Sequence, residues 1–163
     1  MAAWWLTVVC AVAVLHSAEA QEPYASLPDV YKKGVDLALE QLNSHAGVHH
    51  HFRFLRTLDQ SSIESGYGVR YLYLHFYLKP THCTKGTALS NPQACPFRND
   101  RPLMDCAVCY KTLSDQMESI PKPYVHCIQK PRLTAAMANT RMEHCRKMSY
   151  NSGGATLLAV SMG

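Results

Sequence analysis

The sequence predicts a single α+β domain: one N-terminal helix packed across a four-stranded antiparallel sheet, cross-linked by disulfides. Three observations carry this. An apolar leader holds Cys10, the only cysteine outside the Cys83–Cys145 stretch, leaving an even set of six: Cys83, Cys95, Cys106, Cys109, Cys127 and Cys145. An even set behind a leader is the mark of a disulfide framework in an oxidising compartment. Helical periodicity gives way to strand alternation, and the strands succeed the helix along the chain.

Residues 1–20 read as a secretory signal peptide. Trp4–Leu15 is apolar apart from Thr7, and Ala18-Glu19-Ala20 is a small-x-small cleavage pattern, cut between Ala20 and Gln21. The run is short for a membrane span. Its removal leaves 143 residues, with sixteen basic against eleven acidic side chains, net +5. That balance suits acidic glycans, lipid head groups or an acidic receptor surface. It is too diffuse for nucleic acid, and no nucleic-acid motif is present.

Ser26 to Ser44 reads as an amphipathic helix, with Ser26 as cap, Pro28 and Asp29 in the first turn and Gly47 as the stop. Tyr31, Val35, Ala38 and Leu42 recur at helical spacing. Val48–Leu58 reads as the first strand, with Phe52 and Phe54 on one face and Arg53 and Thr57 on the other. Gln60–Gly68 reads as a polar turn. Val69–Leu78 alternates cleanly: Leu72, Leu74, Phe76 and Leu78 face one way, Tyr71, Tyr73, His75 and Tyr77 the other, and Pro80 ends the strand. Thr81–Pro102 is irregular, and a Cys83–Cys95 bridge would pin it at its base. Leu103–Leu113 and Tyr124–Gln129 are the third and fourth strands, separated by a loop over Ser114–Pro123. Over Arg132–His144 propensity does not decide between helix and loop. Residues 21–145 form the domain and 146–163 a mobile tail, with Gly153-Gly154 as a joint.

Cys106-Ala-Val-Cys109 raises redox and metal chemistry. A redox dithiol wants a helix N-terminus, whereas this motif lies in a strand, where an odd separation points the two thiols to opposite faces and toward separate partners. Structural zinc wants two tight pairs, and only one exists among Cys106, Cys109, Cys127 and Cys145, with His126 and His144 beside them. Structural disulfides remain, in any of fifteen pairings. His49 and His51 share a strand face without a third ligand. His126-Cys127 and His144-Cys145 do not offer a free nucleophile if both cysteines are paired. No nucleotide, hydrolase or zinc-protease motif is present, so neither an enzyme, a cofactor nor a metal is expected.

The feature order, with Gly34-Val35-Asp36-Leu37-Ala38-Leu39-Glu40, Cys83, Cys95, Cys106-Ala-Val-Cys109-Tyr-Lys, Tyr124-Val125-His126-Cys127 and Cys145, resembles the chemerin family within the wider cathelicidin–cystatin superfamily. The resemblance spans Gln21 to Cys145. It implies a cystatin-like fold with bridges Cys83–Cys95, Cys106–Cys127 and Cys109–Cys145. It also implies a secreted, monomeric chemoattractant precursor, trimmed by extracellular proteases, that signals through a G-protein-coupled chemokine-like receptor in inflammation and adipocyte differentiation. The family's receptor-engaging tail is rich in aromatics. Here the corresponding contacts would be Tyr150, Leu157, Leu158 and Val160, with one aromatic, so that peptide is not carried over residue by residue. Two other functions attach to the superfamily. A cathelicidin-like antimicrobial precursor would draw on the basic stretch Lys122–Arg132. A cystatin-type protease inhibitor would place Gln60-Ser61-Ser62-Ile63-Glu64 at its inhibitory turn, without the usual tryptophan.

Overall fold

The computed structural model describes residues 22–149. The predicted signal peptide with its Ala20/Gln21 cut, and the tail residues Tyr150, Leu157, Leu158 and Val160, lie outside these. The order is α1 (Asp29–Ser44), β1 (His50–Glu64), β2 (Val69–Thr84), β3 (Met104–Leu113), β4 (Gln116–Met117), β5 (Tyr124–Gln129) and α2 (Ala135–Ser149). The sheet runs β1-β2-β3, all antiparallel, and β4 and β5 pair in turn along the remaining edge of β3. The sheet is therefore four strands wide, and with α1 across one face the domain is cystatin-like α+β.

Helix α1 buries Tyr31, Gly34, Val35 and Ala38, the i, i+3, i+4, i+7 stripe of an amphipathic helix. Its cap differs from the expected one. Pro28 occupies the N-cap, its carbonyl accepting from Tyr31 and Lys32 N–H, while Ser26 Oγ bonds back to Pro23 O. The helix stops at Ser44 with His45 extended, so Gly47 is not needed to end it. The stripe lands on Phe54, Leu72, Leu74, Phe76, Leu78, Cys106, Val108 and Tyr110, which form one core. At Gly34 the helix approaches β3 so closely that a β-carbon would sit 2.8 Å from the Tyr110 ring. Tyr110 is fully buried, and its hydroxyl donates to Val30 O on the helix.

Strand β1 is longer and less regular than its sequence suggests. Gln60–Glu64 continues the ladder against Arg70–Leu74, and only Ser65–Gly68 turns, with positive φ at Gly66, Tyr67 and Gly68. The polar composition marks exposure there, not loss of strand. A bulge between Phe54 and Arg56 puts Leu55 out of step, so Thr57 pairs with Phe76 on the core side rather than sharing a face with Arg53.

Strand β2 likewise runs through Pro80 to Thr84. Proline costs one donor but keeps its acceptor: Pro80 O accepts from Arg98 N–H at 2.9 Å, and His82 N–H reaches Pro96 O at 2.9 Å. The Ser114–Pro123 loop contains the short β4.

The undecided stretch after Arg132 is helix α2, which continues four residues into the segment read as tail. It is poorly amphipathic, burying only Arg141 and Met148, and it packs on β3, β2 and β5 from the face opposite α1. Three bridges cross-link the fold: Cys83–Cys95 from β2 to the irregular segment after it, Cys106–Cys127 between opposed residues of β3 and β5, and Cys109–Cys145 from β3 to α2.

Gly34→Ala should destabilise the fold by about 1–2 kcal/mol, as overpacking against Tyr110 exceeds the helix-propensity gain of roughly 1 kcal/mol. Gly47→Ala, where the nearest atom would be 3.6 Å away, should not. Urea midpoints at unchanged m-value check both.

Candidate functional site

Strand alternation sends Cys106, Val108 and Tyr110 into the α1 core and Asp105, Ala107 and Cys109 to the opposite face. The two thiols of the C-x-x-C thus serve different partners. On this second face Asp105, 2 % exposed, meets Arg141 of α2, also 2 % exposed. The Arg141 guanidinium donates to Asp105 Oδ1 and, at 3.0 Å, to Asp105 O; its Nε donates to His126 Nδ1 at 2.7 Å, and the nitrogen bonded to Asp105 O also donates to His126 O at 3.3 Å. His75 Nε2 lies 2.9 Å from the same Asp105 oxygen. A buried arginine thus has a carboxylate, two carbonyls and a neutral imidazole around it, and each acceptor comes from a sheet residue.

The electrostatics reflect that geometry. Burial alone would push the Asp105 carboxyl up, but hydrogen bonds from His75 and Arg141 outweigh it and hold the value below the usual 3.8. Burial, and then the Arg141 charge, hold His126 below the usual 6.5. Sequence patterns do not reveal this cluster, because Asp105, Arg141 and His126 each sit in unremarkable local surroundings. The one available signal is an acid inside the largely apolar strand pattern Leu103–Leu113.

Beside the cluster, a groove of about 410 Å3 lies between α2 and the far end of the β1–β2 hairpin. Tyr71, Tyr73 and the Cys109–Cys145 pair floor it; Ile63, Met142 and Met148 wall it. Ile63 and Met142 are 56 % and 49 % exposed. Of the tyrosine face read from the sequence, Tyr71 and Tyr77 are buried, and Tyr71 and Tyr73 line this groove. At the other end of the sheet, His49, His50, Arg98 and Arg101 border a cavity of about 310 Å3, where Arg98 already holds Asp100 at 2.7 Å.

The other candidate groups are engaged structurally. Among the described residues no three His, Cys, Asp or Glu side chains gather to hold a metal, and no helix is long and apolar enough to cross a membrane. His144 stacks on Tyr124 at 4.1 Å, and Cys127 and Cys145 are both bridged. Gln60–Glu64, the expected position of an inhibitory turn, is paired strand instead. Lys122–Arg132 is taken up largely by β5 and the short 3-10 turn after it.

Asp105→Asn strips the buried Arg141 of its counter-charge and should cost about 3–5 kcal/mol in urea unfolding. The pH dependence has a definite sign. Both folded values are depressed, so each group contributes stability that is complete above its ordinary value and lost as pH falls through the folded one. Stability should decline first below 6.5 through His126 and again below 3.8 through Asp105. Unfolding midpoints from pH 8 to 3 should show both steps, and His126→Asn should abolish the first.

No family model and no curated protein matches this chain. Among solved structures it is similar to one described as the crystal structure of Al-CPI, at 12 % identity and a TM-score of 0.42, over 68 % of this chain and 92 % of that one.

Proposed function

We propose that this protein is a secreted, chemerin-like chemoattractant precursor that acts as a monomer and not as an enzyme. Extracellular proteases trim its C-terminus, and the trimmed chain signals through a G-protein-coupled chemokine-like receptor in inflammation, chemotaxis and adipocyte differentiation. The observation that carries this reading is the Cys109–Cys145 bridge, which fixes α2 to the sheet. The chain beyond Ser149 therefore starts from a rigid stem, and a peptide presented from a stem loses less orientational freedom on capture than one on a loose linker.

Two further features support it. All six cysteines between Cys83 and Cys145 are oxidised, which suits an extracellular compartment and leaves none of them as a nucleophile. The basic border at Arg98 and Arg101 supports acidic glycans as secondary partners.

Intact protein and forms trimmed at successive positions after Ser149 should differ in binding to, and migration of, cells bearing chemokine-like receptors, with at least one trimmed form active. Absence of binding and migration for every form would remove the reading.

A further inference from the structure

Five basic side chains gather where β1 begins and β2 ends. The strand register sets Arg53 opposite Lys79, and both cations lie over the Phe97 ring, 4.5 and 5.6 Å from its centre. Arg98, the next residue along, reaches His50 at 3.2 Å. With His49 and Arg101 it borders the cavity of about 310 Å3 at this end of the sheet. Lys85 completes the group: its backbone N–H donates to His49 O and its ammonium to His45 O, both at 2.9 Å.

Among the described residues, the carboxylate in contact with these five cations is Asp100, held by Arg98 at 2.7 Å. The local excess of positive charge therefore equals the formal net charge of the whole chain, +4, and everything else sums to neutral. Arg53 is anchored to Cys95 O and Lys85 to His45 O, so little side-chain freedom remains to be lost when an anion arrives. Grouped charge of one sign attracts a polyanion from roughly 8–10 Å away at moderate salt.

The cavity adds chemical selectivity. No Asp or Glu lines it, and its floor is apolar: Phe52, Pro80, Pro102 and Met104. Its volume is that of a small-ligand cleft, which begins at roughly 300 Å3. Such a floor takes the C–H face of one sugar ring. Arg101 on the rim is exposed and makes no ion pair among the described residues, and its guanidinium fork suits a multivalent oxyanion on that ring. A lipid surface fits less well. The large apolar side chains that stand exposed are Ile63, Tyr67, Leu113, Ile120, Met137 and Met142, and none of them lines this cavity to anchor it in a bilayer.

We propose that this corner binds sulfated glycosaminoglycan, with one sugar ring on the Phe52–Pro80–Met104 floor and its sulfate on Arg101 and His49. Lys79 and Lys85 meet neighbouring sulfates along the same polymer. The proposal deepens the glycan-partner reading above and is independent of receptor signalling.

Calorimetric titration of the full-length protein with a heparin octasaccharide tests this. Arg101→Glu with Lys85→Glu should weaken binding about tenfold or more, whereas Lys122→Glu with Lys147→Glu, an equal change in net charge at other exposed sites, should stay within about twofold. Amine acetylation of the unmodified protein supplies an arm that needs no variant: the octasaccharide should slow labelling of Lys79 and Lys85 several-fold and leave Lys122 unchanged. Absence of octasaccharide binding overturns the proposal, as does equal weakening in both double variants or unprotected Lys79 and Lys85. Equal affinity for phosphatidylserine vesicles, polyglutamate or desulfated heparin overturns it too, the site then reading a membrane, an acidic peptide or charge without sulfate. Binding of hyaluronan in place of heparin keeps acidic glycans as partners and removes the sulfated class. No receptor enters any arm, so failure here leaves the signalling reading standing, and failure of that reading leaves this one.

Discussion

Strand β3 is covered on both sides, and the rest of the structure depends on that. Every residue from Asp105 to Tyr110 is buried. The even members, Cys106, Val108 and Tyr110, meet α1; the odd ones, Asp105 and Cys109, meet α2. Two of the three bridges begin on this strand, three residues apart, and leave it in opposite directions. A pleated strand can do this only because its side chains alternate, so the C-x-x-C spacing acts as a two-sided fastener.

The two layers are held by different physics. Helix α1 is attached by ordinary apolar burial, with a closest approach that only a glycine at position 34 allows. Helix α2 has almost no apolar stripe and is attached chiefly by one covalent bond and one buried ion pair. A buried pair of this kind contributes little net stability compared with an apolar contact of equal size, because desolvation offsets much of the attraction. Its effect is on position: Arg141 finds its hydrogen-bonding set only where Asp105 and His126 converge, which fixes the angular setting of a helix whose apolar face would not.

Legibility in the sequence divides along the same line. The α1 stripe and the Val69–Leu78 alternation are readable because a single periodicity governs each. The opposite facing of Cys106 and Cys109 is readable from strand geometry alone, although their partners come only through the resemblance. The continuation of β1 over Gln60–Glu64 is hidden because those residues are held by backbone pairing to Arg70–Leu74 while their side chains meet water. Pro80 misleads because its carbonyl still pairs. Helix α2 and its cluster are out of reach for a physical reason: contacts between positions 75, 105, 126 and 141 are purely tertiary, and no local pattern encodes them.

Strand β1 forms the outer edge of the sheet and is fifteen residues long. A straight ribbon of that length with open amide groups is a template on which foreign chains can grow into fibres. Its pairing with β2 is interrupted three times along the way. Each interruption kinks the ribbon and breaks the even repeat of donors and acceptors that an incoming strand would have to match. The irregularities that blur the strand's alternation therefore also guard the molecule against amyloid-like stacking at high concentration.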